Sequence, residues 1–137
     1  MEVGNDILPK TLVLGASQKP ERYSYLAIRS LKKHGIEVVA IGARKGMVDD
    51  IEIHTELQDI PDIHTITLYL SARNQAPYYN YIINLKPKRL IFNPGTENPE
   101  LEKLAREHGI DVVEGCTLVM LSMAPKTKCT IFENTHG

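Results

Sequence analysis

Short apolar runs rich in Val, Ile and Leu alternate along this chain with segments whose apolar residues recur at helical spacing. The runs Thr11–Leu14, Glu37–Ile41, Thr65–Leu70, Arg89–Phe92 and Asp111–Val113 read as strands buried on both faces, because they are short and rich in Val, Ile and Leu. Strands that alternate with helices need right-handed crossovers and a sheet covered on both sides. The expected fold class is therefore α/β, three layers with a mainly parallel sheet of about five strands.

The intervening segments carry helix punctuation. Tyr23, Leu26, Ala27 and Leu31 form one stripe, with Gly35 suited to the C′ position. Ala76, Tyr79, Ile82 and Ile83 form a second, which Pro87 stops. A third helix has Asn98 as cap, Pro99 at its first position, Glu100 and Glu102 in the first turn and Gly109 beyond its end. From Gly42 to Asp62 the pattern predicts a loop with a short helix around Glu56–Ile60. The chain reads as one domain over residues 1–124, followed by a tail over 125–137 that lacks periodicity and is expected to be poorly ordered.

Composition narrows the function classes. In 137 residues, a net charge of −1 and no basic run argue against a nucleic-acid partner. No apolar run is long enough to span a membrane, and the N-terminus lacks the pattern of a secretory signal. Two cysteines, Cys116 and Cys129, make no disulfide framework, so a reducing cytoplasm is the expected setting. The histidines share no ligand spacing with the cysteines, so no metal site is expected.

In open α/β sheets, ligands lie beyond the carboxyl ends of the strands. Four such tips carry suitable chemistry. At Gly15-Ala16-Ser17 the glycine permits a tight turn, and amides of the following helix can face an anion; a plain strand-to-helix turn is the less favoured alternative. The fingerprint of a dinucleotide loop ends there, since Ala16, Ser17 and Pro20 replace its later glycines. The second tip, Gly42 to Gly46, holds Arg44 and Lys45 where an NAD site needs an acid, which suits a phosphorylated ribose as in NADP or coenzyme A, or else two solvated charges. The third, Leu70-Ser71-Ala72-Arg73, and the fourth, Asn93-Pro94-Gly95-Thr96-Glu97, supply polar groups, although helix entry, for which Ser71 and Thr96 are good caps, is the favoured explanation of each taken singly. Cys116, after the last strand, reads as a small apolar residue or a thiol near the site, and nothing adjacent makes it a nucleophile.

The runs VLGASQKPERYSYLAIRSLKKHGIEVVAIGARKG, LQDIPDIHTITLYL and IFNPGTENPELEKLAREHGIDVVEGCTLVML, in this order and spacing, resemble the small single-domain CoA-binding proteins. Those are similar to the N-terminal CoA-binding domain of the succinyl-CoA synthetase alpha subunit. The resemblance spans residues 11 to about 123 and implies a Rossmann-like fold with coenzyme A or an acyl-CoA along the strand tips. Carried over by position, Gly15, Ala16, Ser17 and the loop through Pro20, Arg22 and Ser24 would meet the phosphates. Arg44 would lie near the adenosine end, Leu70 and Ser71 would border the cofactor, and Gly42 and Lys45 count among the candidate cofactor-binding residues. Asn93, Pro94 and Gly95 occupy the tip where many members carry a tryptophan-and-glutamine motif, from which Phe92-Asn93-Pro94 departs. Cys116 matches a cysteine common in the family.

The implied function is a CoA-binding module without catalysis of its own, because the phosphorylated histidine and nucleotide-grasp region of the synthetases belong to further domains. Two alternatives stay open. One is a small NADP-dependent oxidoreductase, although no Tyr–Lys catalytic pair is evident. The other is a nucleotide-responsive interaction subunit. A protein partner or a homo-oligomer is compatible with each.

Overall fold

A computed structural model describes residues 9–123. The expected tail over 125–137, with Cys129, lies outside the described residues. The elements are β1 (Lys10–Leu14), α1 (Tyr23–Lys33), β2 (Glu37–Ile41), β3 (Gly46–Val48), β4 (Ile51–His54), β5 (Thr65–Leu68), α2 (Tyr79–Leu85), β6 (Arg89–Phe92), α3 (Pro99–Glu107), β7 (Asp111–Glu114) and α4 (Thr117–Met123). The sheet has seven strands in the order β3-β4-β2-β1-β5-β6-β7. Among the described residues only β3 runs antiparallel to its neighbour. The fold is Rossmann-like, with two more strands than the apolar runs predict.

Alternate residues of β1 explain the three layers. Leu12 and Leu14 point to one face, where Ile82 of α2 and Leu101 and Ala105 of α3 cover them together with Ile66, Leu68 and Phe92. Val13 points to the other, which Ile28 and Leu31 of α1 and Leu121 of α4 share with Ala40, Ile53 and Ile91. Each of these fully buried branched side chains contributes about 1.5–3 kcal/mol relative to exposure. None of the helices in the described residues is long and apolar enough to cross a membrane.

Three expectations need correction. The stretch Gly42–Asp62 holds a β-hairpin, β3–β4, and no helix over Glu56–Ile60. The turn Asp49-Asp50, with Asp49 at φ 54°, joins Val48 to Ile51, and Val48 and Ile53 are buried. α1 steadies this turn: Arg29 Nε lies 3.3 Å from Asp49 Oδ2, and Lys32 Nζ pairs with Asp50. Ile60 and Ile63 are buried from irregular backbone, held by Tyr81 Oη donating to the Gln58 carbonyl at 2.6 Å and Lys10 Nζ to that of Pro61 at 3.0 Å. Second, the buried stripe of α1 is Ser24, Ala27, Ile28 and Leu31, whereas Tyr23 and Leu26 are 71% and 41% exposed. Third, β5 ends at Leu68, two residues short of the predicted Leu70. α4 is an addition to the expected elements, since TLVMLSM lacks acidic residues at its start and basic ones at its end.

α3 follows its punctuation. Asn98 Oδ1 accepts from the amides of Glu100 and Leu101, and Gly109 takes φ +75° beyond the end. Glu102 Oε2 accepts from the Asn98 amide at 3.2 Å, yet the residue is only 5% exposed. Burial raises its carboxyl above the ordinary carboxylate value, and Glu114 adds to this; the Asn98 amide and Arg106 oppose it. A carboxyl raised on folding contributes stability below its unfolded value and loses it as pH climbs through the folded value. Glu102→Gln retains an acceptor and removes the charge. Its thermal midpoint should therefore gain on wild type as pH rises above the ordinary carboxylate range, through the range in which the wild-type carboxyl gives up its proton. A difference that stays constant across this range would contradict the assignment.

Candidate functional site

The strand order reverses about β1: β2 follows on one side of it and β5 on the other. Beyond their carboxyl ends opens a cleft of about 750 Å³, within the range of small-molecule sites. Its floor depends on two glycines. Gly15 ends β1 at φ +96°, where a Cβ would lie 2.9 Å from the Tyr69 carbonyl carbon. At Gly42 a Cβ would lie 2.2 Å from the Ala16 carbonyl oxygen, so only glycine lets the β1 loop rest on the β2 tip. The amides of Gly15 and Ala16 both donate to the Ile41 carbonyl, at 2.9 and 3.0 Å. Those two amides are thus committed within the protein, and any anion must be met by later groups of the loop.

Those groups are well placed. The Ser17 amide donates to Ser24 Oγ, and the Lys19 amide to Ser17 Oγ, each at 3.1 Å. Both hydroxyls act there as acceptors, which leaves their O–H as donors. Gln18 Oε1 accepts from the Met47 amide at 3.3 Å and ties the loop to β3. α1 then begins with no side-chain cap and no acidic residue in its first turn, while Lys32 and Lys33 fill its last. Its first amides are therefore available to an anion. Lys19, Arg22 and Arg44 line this half of the cleft with Glu21, and among the described residues none of the three cations joins an ion pair.

The opposite half is uncharged, formed by Tyr69, Ser71, Pro94, Gly95 and Thr96. The hydroxyl of Tyr69 is buried beside Thr67, Thr117 and Cys116 without a partner at hydrogen-bonding geometry. Burial pushes the phenol up to about 12, so it stays protonated near neutral pH and cannot serve there as a general base. Beneath this wall Asn93 is a structural hub. Its Nδ2 donates to Thr67 Oγ1 at 2.7 Å and to the Leu68 carbonyl at 2.8 Å, and its Oδ1 receives the Thr117 amide at the start of α4.

The tips anticipated from sequence do converge. Gly15, Ala16, Ser17, Arg22, Ser24, Arg44, Ser71, Pro94 and Gly95 line the cleft. Gly42, Leu70 and Asn93 lie behind it as spacers and ties, while Pro20, Lys45 and the half-buried, free Cys116 lie outside its lining. Lys19 and Tyr69 line it without having been singled out, and Thr96 of the fourth tip lines it too. Lys19 carried a legible signal, a cation inside the β1 loop; Tyr69 carried none, because its exposure depends on β5 ending at Leu68. Among the described residues no group of three or more His, Cys, Asp or Glu could hold a metal ion.

Comparison with known proteins adds a family. A family model described as a CoA binding domain matches residues 9–122. A crystal structure of an uncharacterized protein shares 53% identity, covering 84% of this chain and 95% of its own, at a TM-score of 0.82. A hypothetical protein from Pyrococcus horikoshii OT3 is 25% identical at a TM-score of 0.73, covering 98% of this chain and 93% of its own. Acetyl-coenzyme A synthetase 1 of Ca. Korarchaeum cryptofilum, in complex with phosphate and ADP, shares the fold at 18% identity and a TM-score of 0.61; the match covers 81% of this chain and 26% of that one. No curated protein matches the sequence.

Proposed function

This chain belongs to the CoA-binding domain family, and from that premise we propose that its switch-point cleft binds coenzyme A, free or acylated, as a module without catalysis of its own. One observation carries the reading: three cations free of ion pairs, Lys19, Arg22 and Arg44, meet an uncapped helix N-terminus in one half of the cleft. Charged phosphates suit that half, where charge-assisted bonds are stronger than neutral ones. The uncharged half, with Ser71 and Thr96, suits the amide-bearing pantetheine arm.

The NADP-dependent oxidoreductase is the competing reading, because Arg44 could equally meet a ribose phosphate of NADP. It requires a proton donor or acceptor at the substrate. Tyr69 is poorly suited to that role, with its hydroxyl turned into the protein and its phenol raised to about 12.

Calorimetric titration of coenzyme A into the purified chain tests the proposal, alongside mass spectrometry of any ligand carried through purification. Saturable one-to-one binding is the expected result. The absence of both binding heat and thermal stabilisation at millimolar coenzyme A would overturn it.

A further inference from the structure

Gln75 sits in the connection between β5 and α2, between two short 3-10 turns at Ala72–Asn74 and Ala76–Tyr78. It is fully buried, although it is polar and lies in a connecting segment. Its Nε2 donates to the Leu70 carbonyl and to the Thr96 carbonyl, both at 2.8 Å. Its Oε1 accepts from Asn98 Nδ2 at 2.9 Å. The amide orientation is forced, because the flipped form would set an oxygen against two carbonyl oxygens. A buried side-chain amide with both donors and its acceptor engaged fixes the spacing of whatever it joins.

What it joins are the two edges of the uncharged half of the cleft. Leu70 immediately precedes Ser71, and Thr96 follows Pro94 and Gly95; Ser71, Pro94, Gly95 and Thr96 all line the cleft. The cationic half is held by other bonds, within the β1 loop and the β2 tip, which are tied through Ile41 and Met47. We infer that Gln75 is a positioning residue that sets the width of the uncharged half, and thereby the recognition of the ligand's pantetheine arm. The inference rests on the coenzyme A reading and deepens it by dividing the ligand between two halves, of which Gln75 bonds to one.

The test compares coenzyme A with adenosine 3′,5′-bisphosphate, its phosphate-bearing fragment, on wild type and on Gln75→Met, which keeps the length of the side chain without its polar atoms. Gln75→Met should weaken coenzyme A by at least about tenfold and leave the fragment within about twofold. A parallel loss for both ligands means general structural damage and overturns the inference, as does an undiminished affinity for coenzyme A. If the variant does not fold, the side-chain amide signals of Gln75 in wild type decide. They should shift on adding coenzyme A and stay unmoved on adding the fragment; the reverse, or no shift with either, overturns the inference. Absence of coenzyme A binding by wild type overturns the ligand reading and this inference together. Normal wild-type binding with an unaffected variant overturns this inference alone.

Discussion

Gly15→Val is expected to lower stability by about 2–5 kcal/mol and to weaken ligand binding by at least about tenfold. Two costs combine. A non-glycine residue held at positive φ costs about 1–2 kcal/mol, and β-branching aggravates it. The added Cβ would also lie 2.9 Å from the Tyr69 carbonyl carbon and 3.0 Å from its oxygen, so the tips of β1 and β5 must separate. Overpacking of this kind adds about 1–3 kcal/mol. Separation happens at the switch point itself, where the Tyr69 amide donates to the Leu14 carbonyl at 2.8 Å. Far-ultraviolet circular dichroism should stay native at low temperature, since a typical domain has about 5–15 kcal/mol in hand. The urea midpoint should fall. Wild-type midpoint and wild-type affinity in this variant would reduce Gly15 to an ordinary turn residue.

Arg44→Ala is expected to weaken coenzyme A by about tenfold to a hundredfold, while dephospho-coenzyme A binds the variant and wild type alike. The reasoning is electrostatic. A charge-assisted hydrogen bond contributes about 1.5–3 kcal/mol, which converts to that range of affinity. Arg44 lies at the cleft and is free of ion pairs among the described residues, so its loss leaves no orphaned partner to confuse the measurement. Lys45 is exposed and outside the lining, so Lys45→Ala should change affinity little. Isothermal titration of both ligands gives the comparison. Equal loss of the two ligands on Arg44→Ala would move Arg44 away from the ribose phosphate. No loss of either would remove it from the site.

The layout was legible where one physical signal dominated. Short apolar runs located β1, β2, β5, β6 and β7, although β7 is an edge strand with no fully buried residue, and the Asn98, Pro99 and Gly109 punctuation marked α3 almost residue by residue. Legibility failed where tertiary contacts decide. The β3–β4 hairpin is short, turns at Asp49-Asp50, and is secured by Arg29 and Lys32 from a distant helix, none of which appears as local propensity. In α1 the apolar Tyr23 and Leu26 suggested the wrong face, because Ser24 is buried for its bond to the Ser17 amide. The site divides in the same way. Glycines and cations at strand tips were visible in sequence, whereas Asn93 and Gln75 act through bonds to residues more than 20 positions away.

The central claim is that the cleft takes coenzyme A rather than another phosphorylated nucleotide. Thermal shift with coenzyme A and NADP at matched concentrations tests it most directly. A ligand at about 100 times its dissociation constant stabilises by roughly 2.7 kcal/mol, and a tenfold weaker ligand gives a clearly smaller shift. Both ligands offer a phosphorylated adenosine to Arg44, and only coenzyme A carries a pantetheine arm for the uncharged wall at Ser71 and Thr96. Coenzyme A is predicted to produce the larger shift. A larger shift with NADP would contradict the account and favour the oxidoreductase.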